Sequence, residues 1–388
     1  WGGQGMKTYT PQFWLLCLSS FLFFASFNLV IPELPDFMRT MGGERYIGLH
    51  IAFFTITAGL SRPFSGKLTD RWGRVPVMII GAVVTGVVSL FYPFVLNIYG
   101  FFLLRLLHGF STGFKPTGTA AYVADVVPSN RRGEAMGITS FFGMIGMGMG
   151  YLFSSKIVLS TSLEMLFYLS SGIAILSIIV LLGMKETLEP REKFHFGLLK
   201  IQWSDVYDKS ALRPAMVMLL NTFCFGVVIS LFPDFSVHLG IEDKGSYFVY
   251  FTVASLFSRV IGGRLSDLFG RVPVLLVSLI VVSAGCALTG FSTTPTSFFI
   301  AAAVFGAGYG VVSPSLFAWV VDLAPDKSRG KAISTLFLAL EIGIGTGALM
   351  TGIFYDSDPT RFPIIFGGSA LLSICAFIYL IISRPKTP

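Results

Sequence analysis

Two charged residues of this sequence stand in the middle of long apolar runs. Glu341 lies in LALEIGIGTG, and Lys115 lies in RLLHGFSTGFKPTGTAAY. A charge at the centre of a membrane-spanning helix costs at least about 2.5 kcal/mol, so such a residue tends to face a partner or a cavity and is a candidate for function. A carboxyl group in these surroundings can exchange a proton near neutral pH. We interpret Glu341 as a proton carrier and substrate contact, with a structural carboxylate tied to a neighbouring helix as the alternative.

Lys115 belongs to a polar stripe on one helix face. The stripe consists of Arg105, His108, Thr112, Lys115 and Thr119, which recur at helical spacing. We expect this face to line a central cavity, which makes Lys115, His108, Thr112 and Thr119 candidate substrate-binding residues. Lys115 either attracts an anionic group of the substrate or neutralises Glu341, and the sequence favours neither hypothesis.

The composition indicates which solvent surrounds these residues. Hydrophobic residues make up 53% of the chain and charged residues 13%, and the mean hydropathy is +0.74. A soluble globular protein carries roughly 25% charged residues. Apolar runs of about 20 residues recur along the chain, as expected for helices that cross a membrane. We therefore predict an all-α membrane protein with twelve transmembrane helices in two six-helix halves.

The predicted spans fall into two sets of six. The first set is 12–37, 46–68, 75–97, 98–126, 133–157 and 163–184, and the second is 214–238, 246–267, 272–293, 296–322, 330–355 and 361–383. They define an N-terminal half (12–184) and a C-terminal half (214–383), joined by a cytoplasmic linker (185–213) and followed by a tail (384–388). Residues 1–11 are the expected cytoplasmic N-terminus, of which WGGQG is interpreted as left over from cloning.

The distribution of charge predicts an orientation. Most of the 28 Lys and Arg fall in loops on the same side as the linker and the termini, and the positive-inside rule places that side in the cytoplasm of an inner or plasma membrane. The net charge of +7 is then a topology signal, and we expect no nucleic-acid partner. The four cysteines and four histidines show neither metal-ligand spacing nor a catalytic pairing, so we expect no metal, no cofactor and no enzymatic activity.

One charged loop occurs twice. SRPFSGKLTDRWGRVPV, which begins at Ser61, recurs 197 residues later as SRVIGGRLSDLFGRVPV, with ten of seventeen positions identical. DVVPSNRRG, which begins at Asp125, recurs at the same offset as DLAPDKSRG, which begins at Asp322. One six-helix unit has therefore been used twice in parallel orientation.

The loop, the span count and the repeat resemble the major facilitator superfamily. The family's loop signature, roughly G-x-L-[ASG]-D-[RK]-x-G-R-[RK], is present, with valine in place of the second basic residue. The matching residues are Gly66, Leu68, Asp70, Arg71, Gly73 and Arg74, and a degenerate copy contains Gly263, Leu265, Asp267, Gly270 and Arg271. The resemblance covers the chain from about Thr10 onward and implies two halves that rock about a central site.

We interpret the two loops as conformational latches, with simple anchoring of the helices as the alternative. Glycines allow tight turns, and a carboxylate can accept hydrogen bonds from the N–H groups at a helix N-terminus. The resemblance implies that Asp70 does so at the eleventh helix, near Gly330, and that Arg71 or Arg74 pairs with Asp125. The candidate latch residues are Gly66, Asp70, Arg71, Gly73, Arg74, Asp125, Arg132, Asp267, Gly270, Arg271, Asp322 and Arg329.

Two further features resemble the branch of the family that exchanges drugs, sugars or organic solutes for protons. Arg105 with Gly109 resembles a helix-four motif linked to proton transfer, and Glu33 lies in IPELP, which resembles a P-x-L-P helix end. Both residues join Glu341 as proton-coupling candidates. The resemblance implies export of a small organic solute in exchange for protons, and we expect the protein to be a monomer. The alternatives are a proton-coupled importer of an organic anion and, more remotely, a receptor or scaffold on the same fold.

Overall fold

The computed structural model describes residues 9–43, 49–241, 246–355 and 358–383. All regular secondary structure in these ranges is helical, and it consists mainly of twelve long helices. The first six are α1 (Pro11–Val30), α2 (Leu49–Arg71), α3 (Arg74–Phe91), α4 (Ile98–Val126), α5 (Arg132–Ser160) and α6 (Leu163–Leu182). The next six are α7 (Leu212–His238), α8 (Ser246–Phe269), α9 (Arg271–Gly290), α10 (Pro295–Leu323), α11 (Arg329–Tyr355) and α12 (Phe362–Ile382).

Several helices begin at residues whose side chains accept a hydrogen bond from the first turn. Thr10, Asn97 and Ser162 do so before α1, α4 and α6, at the N–H groups of residues 13, 100 and 165. Such caps satisfy N–H groups that have no partner within the helix. The predicted N-terminal residues Trp1–Gly5 and the tail 384–388 lie outside the described residues.

Nine of the helices, counted in the described part of the chain, are long and apolar enough to cross a membrane. The other three, α2, α4 and α8, have similar lengths and contain Arg62, Lys115 and Arg259 respectively. These three side chains are all buried. The prediction of a twelve-helix membrane protein is confirmed, and each of the three less apolar helices contains a buried arginine or lysine away from its ends.

Two predicted spans were too long. Instead of one helix over 12–37, α1 ends at Val30, and a 3-10 turn (Ile31–Glu33) and a short helix (Leu34–Arg39) follow. The predicted span 75–97 corresponds to α3, which ends at Phe91 and is followed by a 3-10 turn, Tyr92–Phe94. Proline lacks the backbone N–H that would continue an α-helix, and both breaks occur beside one, at Pro32 and Pro93.

The chain forms two compact units. The first contains Trp1–Ser129, Ile138–Asp208 and Pro325–Ser334, and the second contains Asn130–Gly137, Lys209–Ala324 and Thr335–Pro388. The first turns of α5 and α11 therefore belong to a different unit from the rest of each helix. Most of the linker, including its short helix Trp203–Val206, belongs to the first unit. The predicted boundaries at 184 and 214 did not include these exchanges.

Candidate functional site

The loop after α2 holds the N-terminus of α11 through one carboxylate. The Oδ1 atom of Asp70 accepts a hydrogen bond from the backbone N–H of Gly330 at 2.6 Å, and Oδ2 accepts one from Lys331 at 2.8 Å. Both N–H groups belong to the first turn of a helix, where they lack partners within the helix and the helix dipole favours negative charge. The contact implied by the family resemblance is therefore present within the first unit.

The second loop makes the same contact at positions shifted by 197 residues. Asp267 accepts hydrogen bonds from the N–H groups of Gly133 at 3.0 Å and Glu134 at 2.9 Å, in the first turn of α5. These residues all belong to the second unit. Each unit thus contains a carboxylate that caps the first turn of a helix whose remainder belongs to the other unit.

Two arginines and one aspartate extend each of these contacts. Asp125 lies 3.0 Å from Arg74 Nε and 3.2 Å from Arg329 Nη1. Asp322 lies 2.9 Å from Arg271 Nε and 3.1 Å from Arg132 Nη1. The name Asp70 cluster is used below for Asp70, Arg74, Asp125, Arg329, Gly330 and Lys331, and the name Asp267 cluster for Asp267, Arg271, Asp322, Arg132, Gly133 and Glu134.

The glycines of the loops have two different roles. Gly73 and Gly270 have φ angles of +148° and +88°, a backbone conformation that other residues rarely adopt, and each lies in the turn between two helices. Gly66 instead lies inside α2, where an added Cβ would approach Ser334 Cβ to 2.8 Å. The prediction of tight turns therefore holds for Gly73 and Gly270, whereas Gly66 allows close packing against the first turns of α11.

The two clusters differ in the charges beside them. In the second unit, Arg264 pairs directly with Glu134 at 3.2 Å. The equivalent positions in the first unit are Lys67 and Lys331, which have like charge. The linker supplies the missing carboxylates: Asp205 lies 2.8 Å from Lys67 Nζ, and Asp208 lies 3.6 Å from Lys331 Nζ.

The linker also caps the helix that follows the first loop. Glu186 accepts hydrogen bonds from the backbone N–H groups of Arg74 and Val75, both at 3.0 Å, at the start of α3. Arg71 takes no part in this arrangement, because its guanidinium lies 3.8 Å from exposed Glu192. Of the two arginines predicted to pair with Asp125, only Arg74 does so.

One linker carboxyl has a shifted pKa. Burial opposes ionisation of Asp205, but hydrogen bonds from Lys67 Nζ and from the backbone N–H of Gln202 outweigh it and hold the pKa of this carboxyl below its usual value. Asp205 therefore remains a carboxylate beside Lys67 at physiological pH.

The five residues of the α4 stripe are all buried. Arg105 donates from Nη1 to the Tyr92 hydroxyl at 3.3 Å and from Nε to the backbone oxygen of His50 at 3.2 Å. Its Nη1 also lies 3.5 Å from His108 Nδ1. Sequence reasoning missed Tyr92, which follows α3 and carries no motif that identifies it.

These contacts assign the protonation of His108. The Tyr92 hydroxyl accepts from Arg105 and lies 3.2 Å from His108 Nδ1, to which it can donate its own proton. With Nδ1 as the acceptor, a neutral imidazole carries its proton on Nε2. Nε2 is buried and has no hydrogen-bond partner among the described residues. The ring lies against the aromatic rings of Phe27 and Phe54, at centroid distances of 5.4 and 5.9 Å. His108 thus presents one buried N–H donor between two aromatic rings.

Lys115 is 1% exposed, and no carboxylate of the described residues forms an ion pair with it. Its Nζ lies 5.3 Å from the centre of the Phe23 ring in α1, within range of a cation–π contact. Thr119 donates to the backbone oxygen of Lys115 at 2.9 Å, and Thr112 donates to that of Gly109 at 3.4 Å. Both threonine hydroxyls therefore bond to backbone oxygens of α4, and that of Thr119 also lies 3.4 Å from Met78 Sδ in α3.

The candidate proton carriers lie in different parts of the chain. Glu341 is half-buried in the middle of α11 and belongs to the second unit, whereas Lys115 belongs to the first. Glu33 is half-buried at the end of the 3-10 turn after α1. In the described part of the chain, no group of three or more His, Cys, Asp or Glu is arranged to hold a metal ion.

With this geometry established, comparison with known proteins identifies the family. The sequence profile described as Major Facilitator Superfamily matches residues 16–250 and 215–388. The chain therefore belongs to this superfamily and is a multi-pass membrane transporter, not an enzyme.

Two similar proteins are named as multidrug resistance proteins. Multidrug resistance protein 2 of Bacillus subtilis (strain 168) is 24% identical over 381 residues, which cover 93% of this chain and 92% of the relative. Multidrug resistance protein MdtG of Serratia proteamaculans (strain 568) is 28% identical over 354 residues, which cover 87% of this chain and 84% of the relative.

Two solved structures show the same fold. The human organic anion transporter MFSD10 (TETRAN) has a TM-score of 0.82 at 18% identity, over 96% of this chain and 100% of that chain. The proton:xylose symporter XylE has a TM-score of 0.82 at 15% identity, over 96% of this chain and 95% of that chain.

Proposed function

We propose that the protein exports small organic solutes in exchange for protons. The observation that carries the proposal is the buried α4 stripe, in which Arg105, His108 and Lys115 bring three nitrogen-bearing side chains into a membrane helix. Buried ionisable groups in a membrane helix are costly and are retained where they bind or move charge. The names of the curated relatives, which describe multidrug resistance, support export as the direction.

In the proposed mechanism, Glu341 exchanges the proton and the Lys115 stripe binds the solute. Glu341 takes up a proton from the outside, which removes its charge and permits the halves to rock inward. The solute then enters from the cytoplasm as the proton leaves. If the solute is cationic instead, the same carboxyl can bind proton and solute alternately, because each neutralises its charge.

The Asp70 and Asp267 clusters are proposed to be the latches of this cycle. Each joins a loop to the first turn of a helix whose remainder belongs to the other compact unit. Opening the cytoplasmic side requires these capping hydrogen bonds and arginine pairs to break. The charge-assisted caps are strong enough to favour one state and weak enough to be broken by binding energy.

Removal of the Asp70 charge is expected to open the cytoplasmic side. An asparagine at position 70 can accept from one N–H but not from both, and loss of a cap costs about 1–2 kcal/mol, which shifts a two-state equilibrium by about 10-fold. Ser334→Cys, in a chain with Cys375→Ser, places a reporter thiol one turn inside α11 at a buried position. We expect Asp70→Asn to increase its labelling by a membrane-impermeant maleimide about 10-fold.

The matched control for this experiment is Glu192→Gln. It removes an exposed carboxylate that pairs with Arg71 outside the cluster, and labelling should match that of the wild type. Equal labelling of the Asp70→Asn variant and the wild type would leave anchoring as the role of the loop.

The solute class is tested by thermal stabilisation of the purified protein. A ligand that binds the folded state raises the unfolding temperature, and organic anions should do so through Lys115. We expect Lys115→Ala to abolish the shift caused by anions and to leave any shift caused by lipophilic cations. If cations stabilise the protein and Glu341→Gln abolishes that shift, the solute is cationic and Lys115 serves only as a counter-charge.

Two alternatives use the same residues. A proton-coupled importer of an organic anion would run the cycle in the opposite order, and the fold similarity to a proton symporter keeps this candidate open. The direction of flux in proteoliposomes under an imposed pH gradient separates import from export. A receptor or scaffold on this fold would show no alternating accessibility in crosslinking.

The proposal also includes a membrane location, an orientation and an oligomeric state. We place the protein in an inner or plasma membrane, with both termini and the linker in the cytoplasm, because most Lys and Arg lie on that side. We propose that it acts as a monomer, with the solute, protons and the lipid bilayer as its partners.

A further inference from the structure

Asn221, in α7, carries a buried amide whose polar atoms have no partner. The residue is 1% exposed, and neither Nδ2 nor Oδ1 makes a hydrogen bond in the described part of the chain. The side-chain amide can donate two hydrogen bonds and accept two, and none of these four is made among the described residues. Sequence reasoning missed it because one uncharged residue inside an apolar helix gives no signal.

An unpartnered buried amide needs an explanation. Folded proteins pair nearly all of their buried polar groups, since each one left unpaired costs about 1–3 kcal/mol. A leucine at this position would avoid the cost. The amide can be satisfied only by a partner from outside the folded chain, which is either a water molecule or a bound solute.

The contrast with Asn28 makes the point more specific. Asn28, in α1, is equally buried at 3% exposed, but its Nδ2 donates to the backbone oxygen of Phe24 at 2.8 Å. A buried asparagine in a helix of this protein can therefore satisfy its donor locally. Asn221 makes no such bond.

Asn221 shares its face of α7 with an aromatic pair. Phe225 lies one turn later and stacks on Tyr309 of α10, with ring centroids 4.8 Å apart and planes at 19°. Phe223 and Val227, by contrast, line a cavity of about 590 Å³ beside α11 and α12. At 100° per residue they project from roughly the opposite side of the helix, so Asn221 belongs with the aromatic pair and not with that cavity.

The residue after Asn221 contacts the turn of α11 that carries the proposed proton carrier. Thr222 Oγ1 lies 3.3 Å from the backbone oxygen of Leu340 in α11, the residue before Glu341. Asn221 thus immediately precedes the contact that joins α7 to the turn of α11 that carries Glu341. All of these residues belong to the second unit.

We propose that Asn221 is a substrate-recognition residue that binds an uncharged group with adjacent donor and acceptor atoms. This inference rests on the proposed transport function and adds a substrate class to it. An amide pairs best with another amide or a lactam, through one donated and one accepted hydrogen bond. The stacked rings of Phe225 and Tyr309 favour a flat aromatic body beside that group. The expected ligand is an aromatic carboxamide or a similar ring-bearing solute.

The test separates binding from transport. Purified wild type, Asn221→Leu, Asn221→Ala and Asn28→Leu are compared in thermal unfolding, alone and with 1-naphthamide or 1-methylnaphthalene as matched probes. In the wild type we expect naphthamide to stabilise more than methylnaphthalene. In Asn221→Leu this preference should vanish, with naphthamide affinity reduced about 10-fold or more.

The ligand-free proteins give a second signature. Asn221→Leu should unfold at the same or a higher temperature than the wild type, because it removes unpaired polar atoms, whereas Asn28→Leu should unfold at a lower one. The proposal is overturned, and the amide is structural, if Asn221→Leu and Asn221→Ala both unfold at a lower temperature than the wild type. It is also overturned if naphthamide stabilises the wild type no more than methylnaphthalene does, or if the variants keep the same preference for naphthamide as the wild type.

Measurements of flux and binding distinguish failure of the proposed function from failure of this inference. If the wild type prefers naphthamide but proteoliposomes show no flux of any probe under a pH gradient, the binding site stands and proton-coupled export fails. If export occurs and Asn221→Leu retains wild-type flux and binding, the recognition role fails and export stands.

Discussion

Replacement of Glu341 by glutamine is expected to reduce export driven by a pH gradient by about 100-fold or more, because glutamine has the size of a protonated glutamate but cannot exchange a proton. Glu341 lies in the middle of α11, far from both helix ends. The measurement is solute flux in proteoliposomes with an imposed pH gradient. Exchange of solute without a gradient should persist, since rocking of the halves does not require the proton in this variant.

Glu164→Gln is the control for this variant. Glu164 lies in the first turn of α6 and is exposed, so its loss should leave gradient-driven export unchanged. Retention of gradient-driven export by Glu341→Gln would reject Glu341 as the carrier and make Glu33 the next residue to replace.

Replacement of Asp125 by asparagine is expected to destabilise the protein by about 3 kcal/mol, the largest loss for any single residue of the two clusters. The Asp125 side chain is 13% exposed and lies between Arg74, 3% exposed, and Arg329. It also accepts a hydrogen bond from the Thr187 hydroxyl at 2.7 Å. Its neutralisation leaves a buried guanidinium without its counter-charge, which costs more than the pair itself contributed.

The matched variant is Asp322→Asn, at the equivalent position of the Asp267 cluster. The Asp322 side chain is 31% exposed, and Arg271 keeps Asp267 as a second carboxylate partner when Asp322 is neutralised. A loss of about 1 kcal/mol is expected there. Unfolding midpoints of the two variants in the same detergent measure the difference. Equal losses would show that exposure does not control the strength of these pairs.

The helices were predictable from apolar runs, and both charged clusters were predictable from a repeated motif. A run of apolar residues has few alternatives to a spanning helix, and a motif repeated at a constant offset must occupy equivalent places in two similar units. The family resemblance placed Asp70 at a helix N-terminus, and the repeat extends that placement to Asp267. The helix ends at Val30 and Phe91 were harder, since a proline within an apolar run either kinks a helix or ends it.

The linker contacts could not have been predicted from the repeat. Glu186, Asp205 and Asp208 lie between the two copies and have no equivalent at the other position, so no comparison of the copies could reveal their partners. The choice of Arg74 over Arg71 as the partner of Asp125 depends on the direction of side chains beyond the helix end. Asn221 gave no signal at all, because its significance lies in hydrogen bonds that are absent from the described residues.

The carboxylates of the linker make the two copies of the repeat unequal. Asp205 and Asp208 act at Lys67 and Lys331 as tethered counter-ions, with a high effective concentration set by the few residues of chain that hold them. Arg264 and Glu134 already neutralise each other and have no use for such a tether. The two copies are thus no longer interchangeable. Loss of both linker carboxylates would remove these counter-charges from Lys67 and Lys331, whereas the Arg264–Glu134 pair would stay neutral.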